Sequence, residues 1–189
     1  MEIVFEVASA EEHFDQILRL QKQNLFSAIS EEQQARQGFV FAQHTVPLLK
    51  MMAAHLPQVI AVSNGKVVGY NLAMSLSMKN EMPSLAPMFA EFERSQYNGK
   101  PLSAYSFMVG GQVCVDEGFR GQGLLSRLYH ETRNRLPSGY RLCVTEVSVR
   151  NDISLRAHLK MGFEVVSTYH DGKELWKVVV WDLESAAAG

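Results

Sequence analysis

Cysteine is nearly absent: the 189-residue chain has two, Cys114 and Cys143. Both sit in apolar, strand-like runs, outside any Cys-x-x-Cys or Cys/His spacing. That pattern argues against a disulfide framework and against a zinc site, so both read as buried free thiols and no metal is expected. Long apolar runs are missing too, and none approaches the roughly 20 residues of a membrane-spanning helix. The opening Met1-Glu2-Ile3-Val4-Phe5-Glu6 is a short, acidic, alternating segment rather than a secretory leader. The cytoplasm is the expected location. Nor does one sign of charge dominate: the formal net charge is -2. Neither nucleic acid nor an anionic membrane is an expected partner.

What the chain has is an ordinary globular composition, 47% hydrophobic and 20% charged. That is enough apolar side chain for a core, and it excludes disorder. The length suits a single domain, here 1–183, with a tail at 184–189.

Residues 2–8 alternate as a strand. Ser9 with Glu12 reads as a capping box for a helix carrying Phe14, Ile17, Leu18 and Leu20. Residues 24–44 fit a helix or a loop. Thr45 to Leu56 reads as a helix stopped by Pro57. The strand Val59–Val62 turns at Asn64-Gly65, the strongest short hairpin signal, into the strand Lys66–Met74. Pro83 and Pro87 bracket a helix start with Met88, Phe89 and Phe92 on one stripe. Ala104 to Val115 reads as a long strand, and its paired Gly110-Gly111 predicts a bulge or a close backbone approach. A helix follows over Gln122–Leu136, then a strand over Leu142–Val149. Next comes a short helix over Ser154–Met161, closed by Gly162. A second hairpin turns at Asp171-Gly172. The expected fold class is α+β, with a mixed sheet.

The chemistry concentrates at Val113-Cys114-Val115-Asp116-Glu117-Gly118-Phe119-Arg120-Gly121-Gln122-Gly123-Leu124-Leu125-Ser126. A strand ends, a loop turns, and a glycine-punctuated segment opens a helix. The first helical N–H groups have no intrahelical partner, and the helix dipole makes that end positive. Glycines let an anion approach those amides, so the segment suits a pyrophosphate. It has neither the Gly-Lys-Ser/Thr ending of a triphosphate loop nor the three-glycine dinucleotide fingerprint. A glycine-rich helix start without a ligand is the alternative.

This segment resembles the signature of the GNAT superfamily of N-acetyltransferases, Gln/Arg-x-x-Gly-x-Gly/Ala after a strand. Arg120, Gly121 and Gly123 match it, while Leu125 stands where the family has Gly or Ala. A second block, Glu146-Val147-Ser148-Val149-Arg150-Asn151 followed by Ser154, His158, Lys160 and Gly162-Phe163, is similar to the family's later strand, asparagine, short helix and Gly-Phe. The resemblance covers residues 105–181, more weakly 57–77, and is negligible over 9–56 and 78–104.

The resemblance implies a GNAT-like α+β fold: a mixed, mostly antiparallel sheet with a splayed parallel strand pair, at 105–115 and 141–149, flanked by helices. It implies acetyl-CoA as co-substrate. The pyrophosphate would sit on Arg120, Gly121, Gln122, Gly123, Leu124, Leu125 and Ser126, and the pantetheine on main-chain groups of Val113 and Val115 and on Asn151. Asn151 also reads as a turn or cap residue, and the two valines as core. His158 stands where many relatives have a tyrosine that protonates the departing thiolate. It reads as an acid, as a hydrogen-bond partner of the thiol, or as a satisfied helix histidine. Glu146, which interrupts an apolar strand, reads as the base that deprotonates the amine or as an ion-paired strand carboxylate. The implied reaction is direct acyl transfer from acetyl-CoA to a small-molecule, peptide or protein amine. A non-catalytic acyl-CoA sensor is the alternative, and the resemblance leaves a homodimer open.

Overall fold

Turn residues set the punctuation of this chain, and the runs between them form the elements. The computed structural model describes residues 2–184. Its strands are β1 (Val4–Val7), β2 (Val59–Ser63), β3 (Lys66–Met74), β4 (Gln96–Tyr97), β5 (Lys100–Pro101), β6 (Phe107–Val115), β7 (Leu142–Ser148), β8 (Glu164–His170) and β9 (Leu175–Asp182). Its α-helices are α1 (Glu11–Asn24), α2 (Glu31–Gln37), α3 (Val46–His55), α4 (Ala86–Arg94), α5 (Leu124–Arg135) and α6 (Asp152–Met161). One mixed sheet has the strand order β1-β2-β3-β6-β7-β9-β8. Strand β6 pairs with β7 in parallel, while β1–β2, β2–β3, β7–β9 and β8–β9 are antiparallel. Among the described residues no helix is long and apolar enough to cross a membrane.

Local chemistry accounts for most boundaries. Thr45 caps α3 by accepting from the Leu48 N–H, and Asn64 and Gly65, with φ of 51° and 72°, make the β2–β3 turn. Gly162, at φ 104°, closes α6 with its N–H on Leu159. Three expectations need correction. Ser9 does not cap α1: Ala10 holds that position without a side-chain bond, and the Ser9 N–H meets His13 Nδ1 instead. The strand expected from Ala104 starts at Phe107, because Leu102–Ala104 is a 3₁₀ turn. Helix α6 starts before Ser154, because Asn151 caps it. In the ambiguous stretch 24–44, Ser30 and Gln33 form a reciprocal capping box that opens α2.

Contacts divide the chain into two compact units. The first holds the residues through Met74 together with Gly111–Leu136. Here β1 pairs with β2, β2 with β3, and β3 neighbours the later part of β6. A core of Val59, Ala61, Val68, Leu124 and Leu128 forms where α5 meets this sheet. Gly69 permits that packing, since a Cβ there would lie 3.1 Å from Leu128 Cδ1 and 3.3 Å from the Cys114 carbonyl. Helix α1 turns Phe14, Ile17 and Leu20 inward, each worth about 1.5–3 kcal/mol of burial.

The second unit holds Ser75–Gly110 and the residues from Pro137 on. The early part of β6 pairs with β7 from Phe107↔Leu142 to Val109↔Val144. From Thr145 to Ser148, β7 continues paired with β9. Gly110 sits at the end of the parallel pairing: a Cβ on it would lie 3.0 Å from Thr145 Cβ, and its carbonyl accepts from the Thr145 hydroxyl at 2.7 Å. The paired glycines thus mark the close backbone approach their pattern predicts. Strands β7, β9 and β8 follow in register, with Glu146↔Val178↔Ser167 and Ser148↔Trp176↔Tyr169 as cross-strand rows. The Glu184 N–H donates to Asp182 Oδ1; the rest of the expected tail, 185–189, lies outside the described residues.

Candidate functional site

The glycine-rich segment belongs to the first unit. After β6, Asp116 folds the chain by accepting from the Gly118 N–H at 2.9 Å. Gly121 and Gly123 are left-handed, at φ 74° and 73°, which glycine adopts without penalty. Gly123 is the N-cap of α5 and has no side chain to offer, so no side-chain acceptor caps the helix. A Cβ at Gly121 or at Gly123 would meet nothing within 4 Å. The first α5 amides, of Leu124, Leu125 and Ser126, thus have no side-chain cap and follow two exposed glycines, at the helix's positive end.

Arg120 faces the other way. Its Nε donates to the Val115 carbonyl at 3.0 Å and Nη2 to Asn24 Oδ1 at 2.5 Å. Through these two nitrogens the guanidinium braces the loop against β6 and α1. Gln122 Nε2 reaches the Gly118 carbonyl at 3.3 Å. The Val113 and Val115 side chains pack on the α5 core, which leaves their main chain as the part able to meet a ligand.

The same unit contains a buried polar network that sequence reasoning missed. Gln112 Oε1 accepts from the Tyr70 hydroxyl at 2.6 Å and from Gln21 Nε2 at 2.7 Å, while Gln112 Nε2 donates to the Ala42 carbonyl. Gln21 also contacts His44 Nδ1 at 2.7 Å and accepts from the His44 N–H. Burial lowers the His44 pKa to about 4, so its ring is neutral. The network ties α1, the segment before α3, β3 and β6 together with satisfied polar groups. Its members come from four separate stretches, and no local pattern joins them.

Glu146 and His158 belong to the second unit, on opposite faces of its sheet. Cross-strand partners share a face, so Glu146 lies with Ser148, Trp176, Val178, Ser167 and Tyr169. Glu146 Oε2 accepts from the Tyr169 hydroxyl at 2.5 Å. Burial pushes the Glu146 carboxyl up to about 7, against the Tyr169 hydrogen bond, which lowers it; Asp171 adds a smaller upward push. Burial raises the Tyr169 phenol, and its bond to Glu146 raises it further.

His158 lies on the other face, with the row Cys143↔Trp181. Its ring meets Phe163 edge-on at 5.0 Å, and Phe163 stacks on Trp181 at 5.8 Å. Its Nδ1 donates to the Ser154 carbonyl at 2.7 Å, which leaves the lone pair of the neutral ring on Nε2. Burial lowers its pKa, so the ring favours that neutral form. Asn151 Oδ1 accepts from the Ser154 N–H at 3.4 Å as the α6 cap.

Other groups singled out by sequence are engaged elsewhere. Arg156 pairs with Asp152 one turn away, and Lys160 is exposed. Glu91 binds Arg94 and Ser167, and Glu93 binds Lys79. Both cysteines are free and buried, and burial pushes each thiol up to about 12. Neither is a nucleophile at neutral pH.

No protein-family model matches the chain, and no curated protein matches it. Solved structures do. One chain of the NatC complex bound to Gag peptide and CoA is 16% identical over 96% of this chain and 99% of that one, with a TM-score of 0.59. An N-acetyltransferase from Staphylococcus aureus Mu50 is 18% identical over 97% and 99%, at TM-score 0.59. The ribosomal-protein-S18-alanine N-acetyltransferase of Escherichia coli is 11% identical over 96% and 94%, at TM-score 0.60. The chain has the GNAT acetyltransferase fold. At these identities the likeness is one of fold.

Proposed function

We propose that residues 1–183 act as an acetyl-CoA-dependent N-acetyltransferase that transfers an acetyl group to a primary amine of a small molecule, peptide or protein. The observation that carries this reading is the α5 N-terminus: an uncapped helix start with left-handed Gly121 and Gly123 opening into space, on a GNAT fold. A pyrophosphate suits that end because no side chain caps the amides and the dipole favours its charge. Gly121, Gln122, Gly123, Leu124, Leu125 and Ser126 would hold it, with Arg120 bracing the loop. Main-chain groups of Val113 and Val115 and the Asn151 side chain would hold the pantetheine.

What acetyl-CoA supplies when bound is an acetyl thioester. Glu146 takes a proton from the acceptor's ammonium, which frees the nitrogen lone pair to attack. Its raised pKa suits a base working near neutrality. As the C–N bond forms and the C–S bond breaks, the amide nitrogen gives its second proton to the neutral His158 ring, and the departing sulfur takes that proton from it. His158 is the proposed acid. Its Nε2 accepts the proton and then, in the imidazolium so formed, donates it to sulfur, while Nδ1 stays on the Ser154 carbonyl. Peptide and protein acceptors gain support from two structural neighbours, whose names carry a bound Gag peptide and a ribosomal-protein alanine.

A second reading, a CoA-binding sensor without turnover, draws on Leu125 in the signature and on the lowered His158 pKa. Thiol release from acetyl-CoA against a panel of amines, amino acids and peptides separates the two. Amine-dependent release supports the transferase. Saturable CoA binding without release for any class of amine would support the sensor.

A further inference from the structure

The base assigned above does not stand alone. Glu146 is half-buried on β7, and its Oε2 is held by Tyr169 from β8, across the intervening strand β9. Oε1 accepts no hydrogen bond from the described residues. The carboxylate is thus fixed by one oxygen and left with the other for a proton. The charged and titratable groups around the pair are otherwise committed. From the β8–β9 turn, Asp171 accepts from the Lys173 and Glu174 N–H groups and from the Trp176 indole. From α4, Glu91 is bound by Arg94 and by the Ser167 hydroxyl. Strand β9 contributes Trp176 and Val178 to this face, neither of them titratable. Tyr169 is therefore the one hydroxyl that grips Glu146 among these neighbours.

We propose that Tyr169 is a positioning residue for Glu146: its phenol O–H anchors Oε2, so that Oε1 is the oxygen presented to the amine. The inference rests on the base role of Glu146 proposed above. The bond also favours the charged carboxylate. Removing it raises the pH at which Glu146 ionises. A hydrogen bond to a charged group is worth about 1.5–3 kcal/mol, which corresponds to a shift of roughly one to two pH units.

The test compares wild type, Tyr169→Phe and Glu146→Gln. The acidic limb of the kcat/KM profile is recorded beside a carbon-13 NMR titration of the Glu146 carboxyl, which needs no turnover. Tyr169→Phe is expected to move the limb and the NMR midpoint upward together, by about one unit or more, with the far-ultraviolet circular dichroism unchanged. Glu146→Gln is expected to abolish the limb. If Glu146→Gln abolishes the limb while Tyr169→Phe moves neither midpoint, the positioning role is overturned and the base role stands. If the limb survives in Glu146→Gln, the base role itself fails. The NMR midpoint still decides whether Tyr169 grips the carboxylate. A merely structural tyrosine would lower stability without moving either midpoint.

Discussion

Glu146 interrupts the otherwise largely apolar strand β7. A carboxylate in an apolar strand must be paired, protonated or functional, and here burial raises it to about 7 with one hydrogen bond from Tyr169. The folded pKa lies above the unfolded one, so the folded state holds the proton more tightly. Stability from this group is full below the unfolded value near 4.5 and is lost as pH rises through about 7. Glu146→Gln removes that loss: its melting temperature should change less than that of wild type between pH 5 and 8. A parallel decline in both proteins would contradict the raised carboxyl. The same variant should lower kcat by about 10²–10⁴-fold, the usual worth of a general base. For His158, His158→Phe should reduce turnover with CoA affinity unchanged by calorimetry; unaltered turnover and pH profile would remove it from the acid role. The sequence singled out Glu146 because it interrupts an apolar strand, and His158 because it stands where the resembling family has a tyrosine. Tyr169 was not legible, because its meeting with Glu146 requires the order β7-β9-β8, and strand order is not written in any local run.

Among the elements, those with a strong period and punctuated ends were readable. Lys66–Met74 forms β3 with the bounds its pattern implies, and Thr45 and Pro57 bracket α3. Helix α2 gave no such signal, because it has no buried residue and is defined by its Ser30–Gln33 box. Ser9 and Glu12 offered the same spacing without the geometry, since the chain stays extended through Ala10. Spacing alone does not fix where the backbone turns helical. The glycine pair in β6 was more informative. A Cβ at Gly110 would press on the β-branched Thr145, whose χ1 is stiff. Gly110→Ala should therefore destabilise the protein by about 1–3 kcal/mol in denaturant unfolding. An unchanged midpoint would mean that β6 and β7 separate easily at this point.

At the scale of the whole chain, composition excluded more than it identified. A near-neutral charge and an ordinary apolar fraction left many globular folds open. The two ordered blocks, one ending in the α5 loop and one running through α6, narrowed them to the fold that the solved structures share. The Gln21–His44–Tyr70–Gln112 network was illegible for a physical reason: its members come from distant stretches whose proximity only the fold creates. The central claim is that the α5 N-terminus binds the pyrophosphate of CoA. Isothermal titration of CoA into wild type and Gly123→Asp tests it most directly, with thermal melting to verify that the variant is folded. The account predicts micromolar binding to wild type and at least a tenfold loss, about 1.4 kcal/mol, when a side chain and a negative charge enter the cradle. No binding to wild type, or equal affinity in a folded Gly123→Asp, would contradict it.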